Sequence, residues 1–101
     1  MKAAHEYETK TEQALDQFVE KMRLKLRQNQ AEKGDSWKTC DIRELIKKLD
    51  EEYDEYLAAE GDMSSANECV DMGNVCMMLY DRHFNLWAKK AGKIMPHEWE
   101  R

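Results

Sequence analysis

The sequence predicts an all-α protein: an antiparallel helical bundle of three main helices plus a C-terminal arm, completed by oligomerisation. Three observations carry this reading. Apolar residues recur at three- and four-residue intervals along most of the chain, the period of a helix face. No run alternates apolar and polar residues among β-branched types, so strand signals are absent. Gly34 and Gly61 stand between the periodic segments, and the single proline lies in the tail. At 101 residues the chain is read as one domain spanning 1–101, and 42% apolar with 37% charged residues fits an ordered, helix-rich chain.

The first helix is expected over residues 6–32. Tyr7, Thr11, Ala14, Leu15, Phe18, Met22 and Leu26 paint one stripe on it. The stretch "EKGDSWKTCD" then breaks the pattern, with Gly34 as the stop and Asp41 or Thr39 as the next cap. A second helix is expected over residues 41–60, with Ile42, Leu45, Ile46, Leu49, Tyr53, Tyr56 and Leu57 as its stripe. Gly61 ends it, and Ser64 or Ser65 can cap the third helix, with Glu68 placed to close a capping box from Ser65.

The third helix, residues 64–90, differs from the others because it carries two apolar stripes. Ala66, Val70, Gly73, Met77, Tyr80, Phe84 and Trp87 fall on one side, and Val75, Met78, Leu79 and Leu86 on the other. Such a helix calls for cover on both sides, and a second copy of the chain is the simplest supplier; a homodimer or homotetramer is expected. Residues 91–101 read as an irregular arm whose Ile94, Met95 and Trp99 suit docking.

A formal net charge of −5 argues against a nucleic-acid polymer or an anionic membrane surface as partner. Cys40, Cys69 and Cys76 lack metal or redox spacing and read as small buried hydrophobes in a reducing compartment. No segment has the apolar core of a signal peptide or the length of a membrane span, so a cytoplasmic location is the expectation.

The chemistry is sought among the acids. Glu52 and Glu55 on the second helix and Glu68 and Asp71 on the third are pairs three residues apart, so each pair shares a helix face. Asp41/Glu44 and Glu51/Asp54 have the same spacing and read as solvated surface. If the second and third helices pack antiparallel, the first two pairs converge. Several carboxylates around one point repel and hold protons unless a cation joins them. An all-oxygen set without histidine suits Mg²⁺, or Mn²⁺, better than zinc. No glutamate has a histidine three residues later, which sets aside a carboxylate-bridged di-iron bundle.

"LDEEYDEYL", with twelve residues between Glu55 and Glu68, and then "ECVDMGNVCMM" together resemble the ExxE…ExxD signature of the MazG-like all-α nucleoside triphosphate pyrophosphohydrolases. The resemblance covers residues 33–83, including the LxEExxExL context and the DxxNxxMM run. It implies a helical bundle, dimeric or tetrameric, that hydrolyses a (d)NTP to the monophosphate and pyrophosphate with Mg²⁺. Carried over, Glu52, Glu55, Glu68 and Asp71 would be metal ligands, with Glu52 or Glu55 orienting or deprotonating the attacking water. Asn74, one turn beyond Asp71, would be a further polar member. Trp37 would lie against the base, with closure of the bundle end as its plainer role, and Lys33 would contact phosphate unless it is an ordinary surface lysine. Two alternatives stand beside this reading: a non-catalytic helical nucleotide-binding or regulatory protein, and a phosphoribosyl-ATP pyrophosphohydrolase sharing the fold. Arg82 and His83 read as surface or boundary residues.

Overall fold

The computed structural model describes residues 9–92. Among them every regular element is helical: α1 (Lys10–Lys33), a 3₁₀ turn (Ser36–Lys38), α2 (Ile42–Ala58) and α3 (Asp62–Lys90). The chain divides into two compact units, Met1–Gly34 and Asp35–Arg101.

In the first unit, Thr9 opens α1 with a reciprocal cap. Its hydroxyl accepts from the Glu12 N–H at 3.1 Å, and the Glu12 carboxylate accepts from the Thr9 N–H at 3.3 Å. The helix therefore starts at Lys10. Gly34 closes it with φ 56° and ψ −142°, a conformation glycine adopts without steric cost, and its N–H donates to Gln30 O at 3.0 Å. No residue of α1 is buried. Tyr7 of the expected stripe and Ile94, Met95 and Trp99 of the expected arm lie outside the described residues.

The second unit is a helical hairpin. Asp41, not Thr39, caps α2: its Oδ1 accepts from the Arg43 N–H at 2.8 Å, and the Arg43 guanidinium pairs back with the same carboxylate. α2 stops at Ala58, two residues before its expected end, because Ala59 is already extended (φ −65°, ψ 139°). Gly61 follows at φ 89° and ψ 153°, a region open essentially to glycine alone, and this turns the chain into α3. That helix begins at Asp62, two residues earlier than expected. The Ser65 N–H already donates to Gly61 O at 3.1 Å, so Ser65 is inside the helix and the expected Ser65–Glu68 capping box does not form. Glu68 is thereby released from a capping role.

Two ties fix the hairpin as antiparallel. Near the connection, Glu52 and Glu55 of α2 meet Glu68 of α3. At the other end, Arg82 Nη1 of α3 donates to the Trp37 carbonyl at 2.8 Å and lies 3.9 Å from Cys40 Sγ. Arg82, expected at the surface or boundary, is half-buried and acts as a clasp holding the 3₁₀ turn onto α3.

The buried apolar residues of this unit are Leu45, Val75 and Ala88. Of the two α3 stripes, the one through Val75 is the better covered. The other keeps Tyr80 66% and Trp87 51% exposed, with Phe84 tilted against both at ring separations of 5.8 and 5.6 Å. Tyr53, Tyr80 and Trp87, expected in the core, are exposed, as are Ile46 and Leu57 of the α2 stripe. Cys76 corrects another expectation: it is exposed, although Cys69, two turns earlier, is half-buried, and all three cysteines are free thiols.

Candidate functional site

The site forms where the hairpin folds back. Glu52 sits on the inner side of α2, one turn before Tyr56, and is only 5% exposed. Glu55 follows three residues later at the exposed rim, and Glu68 comes across from the second turn of α3. One oxygen from each of these glutamates lies within 4.8 Å of the other two. Oε2 of Glu52 and Oε2 of Glu68 are both buried without a hydrogen-bond partner. Buried acceptors in folded chains nearly always find a donor, so two orphaned oxygens at one point are a deficit that a cation would fill.

The electrostatics follow from the crowding. Burial works against the charge on Glu52, but hydrogen bonds with Glu55 and Lys48 and the nearby Lys48 ammonium outweigh it, holding its pKa below the ordinary range. Glu55 is pushed up, first by its hydrogen bond with Glu52 and then by the Glu52 charge. Glu68 is also raised, by burial first and then by the charges of Asp71 and Glu52. Crowding the three carboxylates thus favours protonation of Glu55 and Glu68 when no cation is present.

No protein-family model, curated protein or solved structure matches this chain.

The remaining expected residues are placed as follows. Asp71 lies outside the group of three, yet close enough for its charge to raise Glu68. Asn74, one turn further along α3, is buried beside Val75. Trp37 is half-buried in the 3₁₀ turn with Lys38 above its ring, at the end of the hairpin clasped by Arg82. From Arg82 to Glu68 the axial rise of α3 is about 21 Å, so one hairpin does not bring Trp37 to the carboxylates. Lys33 is the last residue of α1, in the first unit.

Sequence reasoning passed over Lys48. Its Nζ stands 3.0 Å from Glu52 Oε1. The available signal was its position one turn before Glu52, the spacing at which opposite charges meet on a helix.

The donor set fits a hard divalent cation. Magnesium binds oxygens at about 2.0–2.1 Å, which puts opposite ligands roughly 4.2 Å apart. Adjacent ligands stand about 3 Å apart, so a shared ion would draw the three oxygens, now within 4.8 Å of one another, inward.

Proposed function

We propose that this chain is a divalent-cation-dependent nucleotide pyrophosphohydrolase of the MazG-like kind, acting on a (d)NTP to give the (d)NMP and pyrophosphate. The observation that carries the reading is the convergence of Glu52, Glu55 and Glu68 with two orphaned buried oxygens. The nucleotide half rests on the ExxE…ExxD resemblance, whose acids supply that cluster. Exposed Tyr80 and Trp87 on α3 favour the self-association expected of such a protein.

In this reading Glu52 and Glu68 are the principal holders of Mg²⁺ or Mn²⁺, with Glu55 joining from the rim and Asp71 adding negative charge beside Glu68. Bound there, the cation would supply charge neutralisation for the phosphates and acidify a water. Glu52 is ionised and fixed by burial, so it serves best as a permanent anchor. Glu55 is exposed and has a raised pKa, which suits a group that accepts a proton from water and releases it to solvent. The choice between Glu52 and Glu55 as base, open in the sequence, thus falls on Glu55.

The test is a panel of ribo- and deoxynucleoside triphosphates, and phosphoribosyl-ATP, incubated with Mg²⁺ while pyrophosphate is read. Release from a triphosphate, lost at least about 100-fold in Glu55→Gln, is the expected result. Activity confined to phosphoribosyl-ATP moves the assignment to that reaction. Nucleotide binding with no release from any substrate overturns the enzyme and leaves the binding protein.

A further inference from the structure

We propose that Lys48 is the built-in counter-ion of the carboxylate cluster, occupying Glu52 in the cation-free protein and yielding it when a divalent cation enters. This rests on the metal-site reading above and adds a positioning residue to it.

Glu52 cannot leave the site, because it is 5% exposed and projects from the covered side of α2. Lys48 can. Its side chain is 45% exposed, and its ammonium reaches Glu52 Oε1 at 3.0 Å from one helical turn away, on a flexible four-carbon stem. The pair is therefore unequal. Withdrawing Lys48 returns an ammonium to water at little cost, whereas Glu52 left alone is a buried charge beside two other acids.

The same inequality makes Lys48 replaceable. Cation and ammonium seek the same carboxylate, and a doubly charged ion within a few ångströms of Nζ repels it. One oxygen of Glu52 is engaged by Lys48 and the other is orphaned. The site is thus half neutralised at rest. A full complement of positive charge would keep a divalent ion out, whereas Lys48 alone leaves negative charge for one to meet.

The test compares the wild type with Lys48→Met, Lys48→Arg and Lys47→Met, the last removing an exposed charge one residue away. Mn²⁺ affinity is read by electron paramagnetic resonance, and thermal midpoints are read in EDTA and in saturating Mn²⁺. K48M should bind Mn²⁺ about three- to fivefold tighter, because a half-exposed ion pair no longer has to be broken first. K47M should stay within about twofold at physiological ionic strength, where long-range effects are screened. K48R should remain near the wild type. In EDTA, K48M should melt below the wild type, and in saturating Mn²⁺ the two should converge.

Equal affinities for K48M and K47M, or a melting gap that Mn²⁺ does not close, would overturn the counter-ion while leaving the metal site standing. A wild type that binds no Mn²⁺ would remove both.

Discussion

Consider Glu52→Gln in protein stripped of divalent ions by EDTA at neutral pH. Removing a buried carboxylate and its ion pair is ordinarily destabilising, but here the opposite sign is expected. An oxygen of Glu52 lies within 4.8 Å of one on Glu68. At an effective dielectric of about 20, two full charges at that separation repel by roughly 3.5 kcal/mol. A tendency of the neighbours to hold protons relieves part of this: Glu52 is the main cause of the raised pKa of Glu55 and, after burial and Asp71, adds to that of Glu68. Against the gain stands the loss of the Lys48 pair, worth less than about 1 kcal/mol because Lys48 remains solvated. The new amide also offers N–H donors to the neighbouring carboxylates. A net stabilisation of about 1 kcal/mol follows, which for a chain this size raises the melting midpoint by about 4–8 °C.

With Mn²⁺ the order should reverse. A ligand at a hundred times its Kd stabilises the folded state by about 2.7 kcal/mol, and the variant, lacking the carboxylate proposed as the central ligand, should forgo that gain. Circular dichroism melts of both proteins, in EDTA and in Mn²⁺, give four midpoints. Glu52→Gln should be the higher of the two in EDTA and the lower in Mn²⁺. A variant that melts below the wild type in EDTA would refute the like-charge argument. One that keeps the full Mn²⁺ shift would refute Glu52 as a ligand.

The pH response follows from the same cluster. Glu55 and Glu68 hold protons more tightly folded than unfolded, so their contribution is present at acid pH and is lost as pH rises through their raised pKa values. Glu52, whose pKa is lowered, has the opposite sign, and its contribution is lost only as pH falls below the ordinary glutamate range. In EDTA, a Glu55→Gln, Glu68→Gln double variant should therefore gain on the wild type between mildly acidic and neutral pH; parallel melting curves would contradict this. At the other end of the hairpin, Arg82→Met should cost about 1 kcal/mol in denaturant melts by removing the donor to the Trp37 carbonyl. Mn²⁺ affinity should be unchanged, since the clasp is remote from the carboxylates.

The helices were legible because their signals are local. The 3.6-residue period gave all three, and Gly34, Asp41 and Gly61 marked boundaries through backbone chemistry that needs no partner. The misread start of α3 has a similar origin. Serine at Ser64 and Ser65 is a good cap by itself, but Gly61 had already turned the chain, and helix growth from Asp62 made the serines interior. Arg82 and Lys48 were missed for a different reason. Each matters through what lies opposite it, a carbonyl 45 residues away or a glutamate whose burial depends on a neighbouring helix. The expected burial of Tyr53, Tyr80 and Trp87 followed from periodicity, which says which residues share a face without saying whether that face is covered.

The carboxylates show how a weak local pattern becomes a specific one. Acids three residues apart are common in this chain, and Glu51 and Asp54 have the same spacing as the pair that matters, yet both face water. The short connection makes the selection. α2 ends at Ala58 and α3 starts at Asp62, so Glu52 and Glu68 each lie six residues from the turn. At 1.5 Å per residue both stand about 9 Å from the bend, level with each other on facing helices. Rotation along α2 by one residue carries an acid out to solvent, as at Glu51, so only one phase of the motif reaches the partner helix. Tightening this meeting of acids would deepen a repulsion that Lys48 offsets among the described residues. A fold selected for stability alone would have placed a leucine at Glu52.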